Sequence, residues 1–179
     1  MRFRKSEYSA LDAAIGAAQG FWAGILCNTR VKYLCCKSIP WGLGTMYSFN
    51  QKILFRHCDP AGIVFYPCYF EMINDVVEDF FETVLDYSFS ELLATNGIPT
   101  AQIDASFSRP SRLSDLLSIQ MAVTEVGRSS MKLNFEAQCE GELRFSANSV
   151  LVYIDGNGRS TPWPESIKQK LEAQVRGDN

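Results

Sequence analysis

Along residues 69–85 the apolar side chains come in pairs, Tyr69/Phe70, Met72/Ile73, Val76/Val77, Phe80/Phe81 and Val84/Leu85. That spacing follows a period near 3.6 residues and predicts a helix over about residues 67–85 with one wide apolar face. Glu71, Asp75, Glu78, Asp79 and Glu82 fall between the pairs. They read as its solvated face rather than as paired catalytic carboxylates, because nothing places them in an apolar setting. Residues 86–96 suggest a short second helix, with Ser88 or Ser90 as its cap and Gly97 as its stop. Beyond Gly97 the period changes to two. Ala101, Ile103, Ala105 and Phe107 alternate with polar residues until Pro110, and Leu117, Ile119, Met121 and Val123 alternate up to Gly127. Met131, Leu133, Phe135 and Ala137 follow, then Leu143 to Tyr153, closed by Asp155-Gly156-Asn157-Gly158. A strand over residues 47–55 precedes all of this, and a short helix over residues 164–174 ends it.

The order is therefore strand, long helix, then four consecutive antiparallel strands. A helix this apolar must be covered over much of its surface, and one curved antiparallel sheet wrapped around it would do so, giving an α+β fold. The other face of the sheet is expected to carry apolar side chains as well, which favours association of subunits.

Between the first strand and the long helix lies the densest chemistry in the chain, Phe55-Arg56-His57-Cys58-Asp59-Pro60-Ala61-Gly62-Ile63-Val64-Phe65-Tyr66-Pro67. Asp59-Pro60 initiates a turn and Gly62 lets the chain bend. Residues 63–66 are apolar, so the loop is not expected to be a solvated one. Pro67 fits the first helical position, where its missing N–H costs nothing, and Tyr66 becomes the expected N-cap with an amide free to donate. A carboxylate thus comes close to the positive end of a helix. His57 reads as a strand-end residue rather than a base.

Composition narrows the picture. The chain has 179 residues, 46% of them apolar and 21% charged, enough for one domain with a real core. A net charge of −3 and the lack of a basic run with interleaved aromatics argue against nucleic acid. The six cysteines, Cys27, Cys35, Cys36, Cys58, Cys68 and Cys139, form no C-x-x-C pair and read as reduced thiols of a cytoplasmic protein. With a single histidine and no recognisable ligand spacing, no metal site is expected. Residues 1–45 differ from the rest: a basic start, an Ala/Gly-rich stretch, then Cys35-Cys36 and Pro40-Trp41-Gly42. Asp12 and Gln19 make the stretch a poor membrane span. We read residues 1–45 as a poorly ordered extension or translated upstream sequence, with Met46 the natural start of a domain over residues 46–179.

The run Cys58-Asp59-Pro60-Ala61-Gly62-Ile63-Val64-Phe65-Tyr66-Pro67 resembles the hot-dog fold acyl-CoA thioesterases, most of all the 4-hydroxybenzoyl-CoA thioesterase branch. Weaker likeness continues through Asp104-Ala105-Ser106-Phe107, the turn before Arg128-Ser129-Ser130 and the last helix, covering about residues 46–179. The resemblance implies that Asp59 is the catalytic carboxylate, as nucleophile toward the thioester carbonyl or as base to a water. It implies that the Tyr66 amide holds the oxyanion. It also implies Arg128 as a candidate for the CoA phosphates, ahead of Arg109, Arg112, Arg144 and Arg159. Asn74 falls where that branch has an Asp meeting a ring hydroxyl. Phe65, Tyr69 and Phe70 suit a flat acyl group, or are plain core. The implied reaction is hydrolysis of aryl- or short acyl-CoA thioesters with no cofactor and no membrane partner, in a homo-oligomeric dimer or tetramer. The competing functions are a non-catalytic module that binds acyl thioesters, which would tolerate loss of Asp59, and a hydratase, which would need a histidine on the helix.

Overall fold

The computed structural model describes residues 44–177. The reading of residues 1–45 as an appendage therefore lies, but for Gly44 and Thr45, outside the described residues, as do Cys27, Cys35 and Cys36. The elements in order are β1 (Met46–Lys52), a 3-10 turn (Phe55–His57), α1 (Tyr66–Thr83), α2 (Phe89–Leu92), β2 (Asn96–Gly97), β3 (Thr100–Phe107), β4 (Leu116–Val126), β5 (Ser130–Cys139), β6 (Glu142–Val152), β7 (Ile154–Asp155) and α3 (Glu165–Arg176). The main sheet has five strands in the order β1-β4-β5-β6-β3, all pairs antiparallel, and β2 with β7 forms a separate ribbon.

The predicted long helix is α1, which ends at Thr83, two residues short of the expected end, and the apolar pairs on it form its buried face, Phe70 only in part. Tyr69, Met72, Ile73, Val76, Val77, Phe80 and Phe81 are all buried, each contributing about 1.5–3 kcal/mol of transfer free energy. They meet the inward side chains of the sheet, among them Ile119, Met121, Leu133, Phe135 and Phe145, in one hydrophobic core. The Tyr69 ring lies 5.0 Å from Phe145 and the Phe80 ring 5.5 Å from Tyr47. Glu71, Asp75, Glu78 and Glu82 are exposed as expected, while Asp79 is half-buried and accepts from Tyr47 Oη. Ser88 caps α2 in a capping box with Glu91. Gly97 does not stop that helix, which ends at Leu92 with Leu93 as its C-cap; it lies in β2 and pairs with Ile154.

Three expectations are corrected. The four late strands are not neighbours in sequence order, since β3 pairs with β6 at the far edge and the chain crosses to β4 through residues 108–115. The outer face of the sheet is polar rather than apolar. Gln102, Asp104, Ser106, Lys132, Asn134, Glu136, Ser146 and Asn148 alternate with inward-facing residues in register, and Asn148 donates to Asp104 at 2.8 Å. Finally, the first strand stops at Lys52 instead of continuing to Phe55, which is 83% exposed. The chain turns there because Leu54 N–H is taken by the His57 ring and His57 N–H by Leu54 O.

Among the described residues no helix is long and apolar enough to cross a membrane. Thr45 N–H donates to Gln174 O of α3 at 2.8 Å, and a Cβ on Gly44 would sit 2.8 Å from that same oxygen. We propose that Gly44 and Thr45 belong to the folded unit, which therefore includes at least two residues before the expected Met46. A chain beginning at Gly44 is expected to melt with the full chain. One beginning at Met46 loses a backbone hydrogen bond worth about 0.5–1.5 kcal/mol and is expected to melt a few degrees lower. Calorimetry of the three chains checks this; aggregation of the Gly44 chain would make the preceding segment structural.

Candidate active site

The Asp59 motif folds into a short hairpin against the start of α1. Asp59 N–H donates to Ile63 O, Phe65 N–H to His57 O and Gly62 N–H to Asp59 O, each at 2.9 Å. Gly62 takes φ +75°, a conformation that closes the turn and that a side chain would strain. Residues 57–59 and 63–65 thus run side by side. The chain leaves the hairpin at Phe65, which is the N-cap, and enters the helix at Tyr66 with Pro67 at the second position. This shifts the expected cap by one residue. Pro tolerates either place, because the first four helical N–H groups have no partner within the helix. Tyr66 N–H remains the first amide of α1, and no acceptor in the chain meets it among the described residues.

Asp59 is held by one oxygen only. Ala61 N–H donates to its Oδ1 at 2.8 Å, while Oδ2 has no hydrogen-bond partner among the described residues. The side chain is half-buried and borders a cavity of about 420 Å³ with Phe55, Cys58, Pro60, Gly62 and Leu113. Across the hairpin, Tyr66 and Tyr69 border an apolar cavity of about 320 Å³ with Ile63, Phe107 and Pro110. The loop is only partly shielded, contrary to expectation: Val64 is buried, but Phe65 is 51% and Tyr66 59% exposed.

The crossing segment 108–115 clamps this arrangement, and its role was not read from the sequence. Ser111 is wholly buried; its carbonyl accepts from Val64 N–H at 2.9 Å and its N–H donates to Tyr69 Oη at 3.2 Å. Tyr69 is thereby a buried wall residue whose hydroxyl fixes the loop. Arg144 donates to Pro110 O at 3.0 Å from beneath. Pro110 was legible only as a strand breaker.

Asn74 lies two turns along α1, exposed, beside a third cavity of about 580 Å³ that also reaches Arg56, His57, Cys68, Glu71 and Asp75. His57 is buried in the 3-10 turn rather than at a strand end, and its pKa is lowered by burial first and the Arg56 charge second. Burial, then the Glu71 charge, raises that of the Cys68 thiol, which stays protonated near neutral pH. Arg128 is exposed in the β4–β5 turn, its carbonyl accepting from Trp163 N–H at 3.1 Å. The hairpin instead joins the other end of β4, where Ile53 N–H bonds Asp115 O. That separation is about 30 Å along the strand, so one chain does not bring Arg128 to Asp59. Of the other arginines, Arg109 is paired with Glu142 at 2.9 Å.

These features agree with what the chain is similar to. Residues 53–171 match the family model of the thioesterase-like superfamily. The chain belongs to that superfamily. Its fold is the hot-dog fold, and membership brings the class of chemistry, thioester hydrolysis. Among curated relatives, a 1,4-dihydroxy-2-naphthoyl-CoA hydrolase of Synechococcus elongatus is 21% identical over 133 residues, covering 70% of this chain and 95% of the relative. Among solved structures, a gentisyl-coenzyme A thioesterase shares 25% identity with a TM-score of 0.65, over 70% of this chain and 99% of that one. A Staphylococcus aureus protein solved in complex with CoA shares 16% identity with a TM-score of 0.70, over 76% and 87% of the two chains.

Proposed function

We propose that this protein hydrolyses aryl-CoA thioesters to the free acid and CoA, with Asp59 as the catalytic carboxylate and Tyr66 N–H as the oxyanion donor. The observation that carries the reading is a carboxylate oxygen and a helix-terminal amide, both without partners among the described residues, on adjoining segments of one hairpin. As nucleophile, Oδ2 would attack the thioester carbon and expel the CoA thiolate, leaving an anhydride for water to open. As base, it would take a proton from the attacking water. Either way negative charge develops on the carbonyl oxygen, and a fixed N–H aimed there is typically worth about 10²–10³ in rate. Relatives named for dihydroxynaphthoyl and gentisyl thioesters support an aromatic acyl group; a 4-hydroxybenzoyl preference is one member of that class. A thiol-release assay on a panel of aryl- and short acyl-CoAs tests the reading. Binding without release would leave a non-catalytic acyl-thioester module.

The site is expected to be completed by a second copy of the chain. Leu54, Phe55, Phe65, Tyr66, Phe107 and Leu113 are exposed around it, more apolar surface than a lone chain ordinarily leaves open at one place. In such a dimer or tetramer Arg128 of a neighbouring subunit could meet the CoA phosphates. Cys58, Cys68 and Cys139 are all unpaired, as suits the cytoplasm.

Asn74 sets a further expectation. A carboxylate at this position would accept strongly from a ring hydroxyl, and a neutral amide less so. Wild type should favour 4-hydroxybenzoyl-CoA over benzoyl-CoA by less than about tenfold, roughly 1.4 kcal/mol, and Asn74→Asp should widen the gap. The two kcat/KM values on both proteins decide it; a strong preference unchanged by the substitution would place recognition elsewhere.

A further inference from the structure

We propose that Arg144 is a positioning residue: from β6 it fixes residues 108–111 as a rigid wall of the pocket beside Tyr66, and so sets which acyl shapes reach the Tyr66 amide. The inference rests on the thioesterase reading above and adds the side chain that holds the pocket in shape.

A β-bulge aims this side chain. Ala137 is paired with Phe145 and Gln138 with Leu143, so Arg144 is an extra residue of β6 with no opposite number on β5. A bulge turns such a residue out of the regular alternation. The Arg144 side chain is only 13% exposed although it ends in a charge. Its guanidinium lies 3.8 Å from Asp115 and 3.9 Å from Glu142, the pairing that a buried charge requires. Burial between two carboxylates speaks against the CoA-phosphate role that the resemblance left open for it.

Arg144 holds the crossing segment at several points. Its carbonyl accepts from Ser108 N–H at 2.9 Å and from Arg109 N–H at 3.3 Å. Its guanidinium donates to Pro110 O at 3.0 Å, a charge-assisted bond. Its partner Asp115 accepts from Arg112 N–H at 2.9 Å through the carboxylate and from Ile53 N–H at 2.8 Å through the carbonyl. What is held is the pocket wall. Ser108, Arg109 and Pro110 border the cavity of about 320 Å³ together with Tyr66 and Tyr69. Ser111, next along, accepts from Val64 N–H and donates to Tyr69 Oη, and Val64 stands two residues before Tyr66. Every link from the sheet to the oxyanion donor is thus a hydrogen bond or a neighbour in the chain. The Tyr69 and Phe107 rings, 5.2 Å apart, give the same cavity an aromatic side. A wall fixed against that side admits a planar ring more readily than a puckered one of similar volume. A misplacement of about 1 Å, even one caused far from the chemistry, can cost about 10² in rate.

Benzoyl-CoA and cyclohexanecarbonyl-CoA differ in the thickness of the ring and little in its volume. In wild type the kcat/KM ratio of the first to the second should be at least about tenfold. Arg144→Met keeps the apolar stem and discards every donor, and the ratio should fall at least about fivefold. Plain loss of stability, measured well below the melting temperature, lowers both rates together and leaves the ratio alone. Arg144→Lys keeps the charge without the planar fork, and the ratio should fall about threefold; if Arg144→Met does not fold, this variant decides alone. Amide exchange followed by NMR reads the wall without substrate. Val64 N–H should exchange at least about threefold faster in each folded variant, with Leu133 and Phe135 of β5 unchanged. A wild-type ratio near one, a ratio unchanged in the folded variants, or acceleration spread equally over Val64 and β5 overturns the proposal. Acceleration confined to Val64 in a protein that hydrolyses neither thioester sinks the enzymatic reading and leaves Arg144 as the support of the wall. Hydrolysis with ratio and exchange both unchanged by the substitutions does the reverse.

Discussion

Asp59→Asn is expected to lower kcat by about 10³-fold or more, while substrate affinity, subunit assembly and melting temperature stay near those of the wild type. The substitution is a clean one here because of how the carboxylate is held. Oδ1 accepts Ala61 N–H, and an amide oxygen can do the same, so the turn through Gly62 keeps its geometry. Only the free oxygen is replaced, by an NH₂ group that can neither attack a thioester nor take a proton from water. Loss of a general base alone typically costs about 10²–10⁴, and loss of a nucleophile is at least as severe. Stopped-flow thiol release together with equilibrium binding of a non-hydrolysable thioether separates chemistry from binding. Most of the activity surviving in Asp59→Asn would remove the carboxylate from the mechanism. After a single turnover in ¹⁸O-water, label appearing in the Asp59 carboxylate marks an anhydride opened by water at that carboxyl carbon.

Much of this was legible along the chain, for reasons that differ from place to place. The apolar pairs of α1 mapped directly onto its buried face, because a helix of period 3.6 leaves such pairs nowhere else to go. The alternating stretches gave β3 to β6 nearly to their ends, but not their order. Alternation fixes which face a side chain takes and says nothing about which strand lies beside it, and β3 reaches β6 only because residues 108–115 carry the chain across the sheet. Those residues then hold the site through Ser111 and Tyr69, a contact between positions 42 apart that no local pattern announces. The outer face is a different matter. Gln102, Asp104 and Ser106 already alternated with the apolar positions, so its polarity was present in the sequence and should have been read from it. His57 shows the opposite limit. Its pattern placed it at a strand end; its burial follows from the 3-10 turn, in which the imidazole itself captures Leu54 N–H.

The Tyr66 amide gives the second large effect, and the helix start allows it to be tested by deleting one hydrogen-bond donor. Proline at Tyr66 removes the N–H and nothing else from the backbone. Three observations say that the fold will accept it. Tyr66 occupies the first helical position, where proline is favoured. Phe65 before it has φ −65° and ψ 123°, the extended conformation a residue preceding proline adopts. The lost N–H bonds to nothing in the chain among the described residues, so no internal hydrogen bond is broken. The exposed Tyr66 ring is lost too, along with its edge contacts to Phe65 at 5.4 Å and Phe70 at 6.5 Å. Tyr66→Ala controls for that, since it discards the ring and keeps the amide. If the amide holds the oxyanion, Tyr66→Pro should lose about 10²–10³ in kcat, roughly 2.7–4 kcal/mol, with a melting temperature within a few degrees of wild type. Tyr66→Ala should lose much less. Because the interaction forms only as charge develops, kcat and kcat/KM should fall together in Tyr66→Pro with KM little changed. Equal activity in the two variants would mean that the oxyanion is met by another donor, and that the free amide at the start of α1 is a consequence of helix geometry alone.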